Sequence, residues 1–201
     1  LNNLELRARW DVLILLEFSS ARGASQLSGI RQAGHLLSAQ PYAYGRRAGA
    51  FVFHNRLGIT AVQFCSHGRI FAADFSWGGW KIRVVGAHMD AEGDRRPYEA
   101  GLHDLRFVLE QTPHDHIIIV GADTQDPLGP QKAFDDSTLI GEHVMGDRRW
   151  KGEQFLRIIH EFRLVLPHTF VPGFEAKYTG VNNGRSEPKQ MDYMATTAAP
   201  R

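Results

Sequence analysis

Four polar residues stand where apolar, strand-like runs of this sequence end. Glu17 closes Leu15-Leu16-Glu17, His88 closes Val84-Val85-Gly86-Ala87-His88, Asp123 closes Gly121-Ala122-Asp123, and Asp192 lies in Gln190-Met191-Asp192-Tyr193. Strand ends are where layered α/β folds collect reactive groups. Each residue also has a plainer reading. Glu17 fits a strand-end charge meeting water, His88 a hydrogen-bonded core histidine, and Asp123 a turn former. Asp192 sits inside a strand pattern, where an unpaired acid is costly, so it requires a histidine, an arginine or a metal as partner. Together the four supply most of what the slow hydrolysis of a phosphodiester demands. One carboxylate, Glu17, suits a hard divalent cation such as Mg²⁺ or Mn²⁺, which prefers oxygen ligands and usually takes only one or two carboxylates. An acid with a nearby amide, Asp123 with Gln125, holds an attacking water. A histidine, His88, lies near the phosphate.

The elements that must position these groups are legible in the periodicity. Asp11 to Glu17 is a continuous apolar run bounded by charges and reads as a strand buried on both faces. Ala24 to Ala39 reads as a helix on Leu27, Ile30, Leu36 and Leu37, although Gly29 and Gly34 weaken it. The period then shifts to two. Gly49–His54, Ile59–Cys65, Arg69–Trp77 and Lys81–His88 read as four strands of one antiparallel meander. Pro97 opens a helix through Thr112, His116 to Gly121 is a second doubly buried strand, and Asp123 to Arg149 is a long irregular segment. A helix over Lys151–Phe162, a short strand at Leu164-Val165-Leu166, and strands at Tyr178-Thr179 and Gln190–Thr196 complete the chain, with a short helix capped by Asn3 at its start. This order suits two packed sheets with helices outside them.

Composition narrows the class. The 201 residues fit one core. A net charge of +1 excludes a protein that coats nucleic acid by bulk basicity, while leaving local phosphate contacts open. One cysteine, Cys65, excludes a disulfide framework, fits a reducing compartment and reads as a small buried apolar residue. No apolar run is long enough to span a membrane, so no membrane partner is expected. Arg46-Arg47, Arg95-Arg96 and Arg148-Arg149 are basic pairs that read as solvated surface or, if they line a groove, as phosphate contacts. Trp77 and Trp80 flank a Gly-Gly turn and read as core or rim packing. The histidines show no zinc spacing.

The ordered motifs resemble the endonuclease/exonuclease/phosphatase superfamily, which includes apurinic endonucleases and DNase I. They look closest to the endonuclease domains that precede reverse transcriptases in non-LTR retroelements. Asp-Val-Leu-Ile-Leu-Leu-Glu17 is similar to the family's metal-binding strand Asp-Ile-Leu-x-Leu-Gln-Glu, and Gly49–His54 to the strand that follows it. Ile118–Gln125 resembles a strand ending Gly-Gly-Asp-Phe-Asn. Gly141–Gly146 with Lys151–Leu156, Leu164–Phe170, Lys177-Tyr178-Thr179 and Gln190–Tyr193 resemble motifs of the retroelement branch.

The resemblance implies an α/β (α+β) fold, a four-layered α/β/β/α sandwich of two mixed sheets flanked by helices, DNase I-like and truncated. Residues 1–201 then form a single, partial domain. It implies a divalent-metal-dependent phosphodiester hydrolase, a DNA endonuclease of the retroelement type, with DNA as partner, a reverse transcriptase domain in a longer parent chain, and an intracellular or nuclear setting. Glu17 would bind the metal, His88 the phosphate, Asp123 with Gln125 the water, and Asp192 a catalytic histidine. The sequence departs from the pattern in four places. The family's upstream Asn strand and downstream Ser-Asp-His have no counterpart, Gln125 stands for Asn, and Gly180 stands for Trp. A non-catalytic remnant or binding module, and a phosphatase of the same superfamily, are the alternatives.

Overall fold

The computed structural model describes residues 11–18, 34–38, 48–54, 57–65, 69–91, 94–173 and 190–197. The described chain forms two sheets. The smaller holds β1 (Val12–Phe18), β2 (Gly34–Ser38) and β3 (Ala48–His54) in the order β1-β3-β2, antiparallel throughout. The larger holds β4 (Gly58–Phe64), β5 (Ile70–Trp77), β6 (Trp80–His88), β7 (His116–Asp123), β8 (Leu164–Val165) and β9 (Asp192–Thr197) in the order β4-β5-β6-β7-β9-β8. Among the described strands only β6 and β7 run parallel, joined by a crossover through α1 (Arg95–Glu110). Helix α2 (Trp150–Glu161) follows the irregular segment that leaves β7.

Alternation along the strands builds two cores. Phe71, Ala73, Phe75, Ile82 and Val84 face the smaller sheet and meet Phe51 and Phe53, with Val12, Ile14 and Leu16 packed alongside. The opposite face, including Val85, Ala87, Val120 and Ala195, is covered by Leu102, Leu105 and Leu109 of α1 and Phe155, Leu156 and Ile159 of α2. Strand β7 feeds both cores, through Ile117 and Ile119 on one side and Ile118, Val120 and Ala122 on the other. Close packing demands small residues where layers meet. A Cβ on Gly121 would lie 2.5 Å from Ile14 Cδ1, and one on Gly86 would overlap the Phe71 ring.

Two sequence expectations are corrected. Residues 34–38, expected to end a helix, form β2, paired to β3 with Leu36 opposite Val52. A short apolar run cannot distinguish helix from strand by period alone, and here the pairing decides. The remainder of that expected helix, the short helix after Asn3 and the strand at Tyr178-Thr179 lie outside the described residues. The expected four-strand meander has three strands, β4, β5 and β6. β3 does not join β4 and instead sits between β1 and β2, so the chain changes sheets between His54 and Gly58.

Trp77 and Trp80 are a cross-strand pair at the tip of the β5–β6 hairpin, about half exposed rather than packed. Gly78 and Gly79 between them have φ of +56° and +84°, the mirror-image turn geometry that matches strand twist. No described helix is long and apolar enough to cross a membrane. Cys65 is half-buried, and burial, with Asp104 nearby, pushes its thiol up to about 11, which makes it unreactive.

The short 3₁₀ turn Pro167–Phe170 buries His168 against the Tyr193 ring at 5.6 Å. Burial pushes its imidazole down to about 4 from the ordinary 6.5, opposed by its hydrogen bond to the Met194 backbone. The unfolded chain therefore takes a proton that the folded chain refuses. Stability from this site is complete above pH 6.5 and declines as pH falls toward 4. Urea midpoints should drop over that window, and His168→Phe should flatten the drop. An unchanged pH slope in the variant would assign the acid sensitivity elsewhere.

Candidate active site

Register brings three of the sequence-predicted residues into one row. His88 ends β6 and is the parallel partner of Asp123 at the end of β7, and Asp123 is in turn the antiparallel partner of Asp192 at the start of β9. His88 Nε2 lies 4.0 Å from Asp123 Oδ2. His88 is buried, Asp123 half-buried and Asp192 exposed, so the row opens from the core toward solvent.

Glu17 reaches the same rim through the other sheet. Phe51 packs on Phe71 at 4.6 Å and Phe53 on Phe75 at 5.8 Å, so β3 runs from the rim toward the β5–β6 hairpin. β1 is antiparallel to β3 and therefore runs back toward the rim. Its Ile14 lies over Gly121, two residues before Asp123. The β1–β3 register breaks between Leu15 and Phe18, so the backbone of Glu17 lies at an irregularity at the rim end of β1. The Glu17 side chain lies outside the described residues.

The loop after β7 fixes the central carboxylate. Gln125 donates its backbone N–H to Asp123 Oδ1 at 3.0 Å and its side-chain Nε2–H to Oδ2 at 2.5 Å. Gln125 sits at φ 59°, a left-handed conformation that is costly for most L-residues but tolerated by Asn. Gln125→Asn should stabilise the fold by about 0.5 kcal/mol through relief of that strain. A denaturation midpoint at or below the native one would contradict this account.

Buried tyrosines brace the same loop. The Tyr98 hydroxyl of α1 lies 3.2 Å from the Thr124 carbonyl and 3.1 Å from that of Lys151. The Tyr193 hydroxyl donates to the Gln190 carbonyl at 2.7 Å and accepts from the Leu128 N–H at 3.0 Å. Burial raises both phenols far above their ordinary value, with Asp126 adding to the effect, so both remain neutral hydroxyls. Past His88, buried Asp90 pairs with Arg69 at 2.5 Å, and Arg69 accepts the His88 N–H on its backbone carbonyl at 2.9 Å.

The donor set at the rim is hard, consisting of carboxylate oxygens with one imidazole. No three described His, Cys, Asp or Glu side chains form a metal-holding group. Such a set fits an ion that keeps much of its water shell and takes one or two carboxylates, and it does not fit a closed thiolate or histidine cage.

No protein-family model matches the sequence, and no curated protein matches it. Solved structures match over nearly the whole chain. The endonuclease domain of TRAS1, a telomere-specific non-LTR retrotransposon, is similar with a TM-score of 0.59 at 16% identity, over 96% of this chain and 75% of that one. The chain shares the DNase I-like α/β fold of these structures. TDP2 of D. rerio, complexed with single strand DNA product, is similar at TM-score 0.59 and 14% identity, over 98% of this chain and 74% of that one. The human Nocturnin catalytic domain with bound sulfate anion follows at 0.58 and 13%, over 96% and 71%.

Within this fold, Arg69, Asp90 and Tyr98 are neighbours of the row that sequence reasoning missed. Asp90 stands two residues past His88, which was a usable signal. Arg69 reaches the site only through the pairing of Ile70 with Ala87, and Tyr98 only through the docking of α1. Of the basic pairs, Arg46-Arg47 lies outside the described residues. Arg148, read as solvated surface, is buried. Its Nε donates to the Leu128 carbonyl, and its guanidinium grips Asp135 at 2.9 and 2.7 Å.

Proposed function

We propose that this chain is the endonuclease/exonuclease/phosphatase-like domain of a divalent-metal-dependent DNA endonuclease of the retroelement type, borne on a longer polypeptide with a reverse transcriptase. The observation that supports it best is the His88–Asp123–Asp192 row at the strand ends, with Asp123 held by Gln125. A retrotransposon endonuclease domain and a TDP2 bound to a single-strand DNA product share the fold, which supports a nucleic-acid substrate.

Glu17 is the residue assigned to Mg²⁺ or Mn²⁺, which when bound neutralises charge on the non-bridging phosphate oxygens. The chain's own groups do the rest. Asp123 accepts a hydrogen bond from the attacking water and orients its lone pair, while Gln125 keeps that carboxylate from turning. His88, recessed at the end of β6, donates to a phosphate oxygen. Asp192, at the open end of the row, is the acid that the resemblance assigns to orienting the histidine of a Ser-Asp-His motif, which residues 1–201 do not contain.

The test is incubation of the chain with supercoiled plasmid and Mg²⁺, with Glu17→Ala as control. Conversion to open circles by the native chain and not by the variant is expected. No nicking above the Glu17→Ala level would defeat the reading.

A further inference from the structure

Most arginines in the described residues are neutralised in place. Arg69, Arg83, Arg96, Arg106 and Arg148 each have a carboxylate within 2.9 Å. Arg95 and Arg149 are exposed and, among the described residues, have no carboxylate partner, although they lie far apart in sequence. The packing of α1 on α2 brings Arg95 against the residue that follows Arg149. The Arg95 guanidinium sits 4.8 Å over the Trp150 ring, and Arg149 is the residue that precedes this tryptophan. Trp150 is backed in turn by Tyr98, at 5.7 Å between ring centroids.

This ridge is continuous with the candidate site. Tyr98 reaches the Thr124 carbonyl next to Asp123, and Lys151 donates to the Asp90 carbonyl at 2.7 Å, two residues past His88. Among the described residues, the exposed acids nearby, Glu99 and Asp147, bond neither guanidinium, and Asp94 is taken by Arg96 at 2.8 Å.

We infer that Arg95, seated on Trp150, and Arg149 form a phosphate-binding ridge for the nucleic-acid strand that leaves the His88–Asp123 row. The inference rests on the function proposed above and assigns that strand's path. Stacking on Trp150 restricts Arg95 without neutralising it, so capturing a phosphate costs less side-chain freedom there than at a loose surface arginine. The ridge contacts backbone rather than bases, so it adds affinity without sequence preference.

The experiment is fluorescence anisotropy of a labelled single-stranded DNA 20-mer with the chain in EDTA, across a KCl series. Binding without turnover separates this test from nuclease activity. For Arg95→Gln/Arg149→Gln we expect about tenfold weaker binding at low salt. The log–log salt slope should fall by roughly 1.4, about 0.7 for each lost phosphate contact. Arg106→Gln, at the far end of α1 and paired with Glu161, should bind as the native chain does. Native binding with an unchanged slope in the double variant overturns the ridge and leaves the proposed function standing. No binding by the native chain overturns both. Both substituted arginines are exposed, so unchanged thermal melting is the expected folding control.

Discussion

Asp123→Asn should lower the plasmid-nicking rate about 10³-fold, the scale typical of losing a positioned acid–base group. The substitution keeps the shape of the side chain and removes its charge. One oxygen still accepts the Gln125 backbone N–H. The other position becomes an amide facing the Gln125 Nε2–H and, 4.0 Å away, His88 Nε2. The row is therefore still assembled, because it is set by backbone register between β6, β7 and β9 and not by this contact. What disappears is the acceptor that polarises water. Melting temperature should move little, and that separates a chemical defect from an unfolded one. A rate within threefold of native, with folding intact, would remove Asp123 from the reaction.

Asp135→Ala should destabilise the fold by about 3–5 kcal/mol, because it strands a buried guanidinium. Arg148 and Asp135 have side chains 1% and 2% exposed, and they form a two-pronged pair. The same guanidinium bonds the backbone carbonyls of Leu128 and Pro130, so it ties together a segment that has no helix or strand to satisfy its own polar groups. In a chain of this length, a loss of that size corresponds to a melting shift of roughly 10 °C. The contrasting variant is Asp135→Ala with Arg148→Met. Removing both charges leaves no uncompensated ion, so most of the stability should return. If the single variant melts like the native chain, the clasp is ornamental. If the double variant is no better than the single, the cost lies in the lost carbonyl bonds and not in the stranded charge.

Local pattern carried the reading of several elements. β7 was legible because an unbroken apolar run bounded by polar ends suits a strand that feeds two cores, and Ile117 to Ala122 divide between them. α1 was legible because Leu102, Leu105, Val108 and Leu109 recur at helical spacing and are buried, and Asp94 rather than Pro97 marks its true cap. β2 and the destination of β3 were not legible. Leu36 and Leu37 serve a helix or a strand equally well, and a three-residue connection after His54 looks like any hairpin turn. Which sheet claims β3 depends on partners at Val12 to Phe18 and Gly34 to Ser38, contacts that no local window contains.

The candidate site divides in the same way. Residue types and positions at strand ends singled out His88, Asp123, Gln125 and Asp192 as candidates, and the resemblance suggested roles for them. Their adjacency came from pairing, since residues 88, 123 and 192 meet only through the β6–β7–β9 register. Arg148 shows the limit from the other side. In sequence it is half of a basic pair indistinguishable from Arg95-Arg96, yet one arginine is sealed against Asp135 and Arg95 stands open on Trp150. By itself, the sequence determined which groups have the chemistry and which segments have the period to carry them, because both are properties of residue type and spacing. Only the tertiary structure decided which charges are neutralised and which, among the described residues, have no carboxylate partner, because desolvation and ion pairing depend on neighbours brought together by packing.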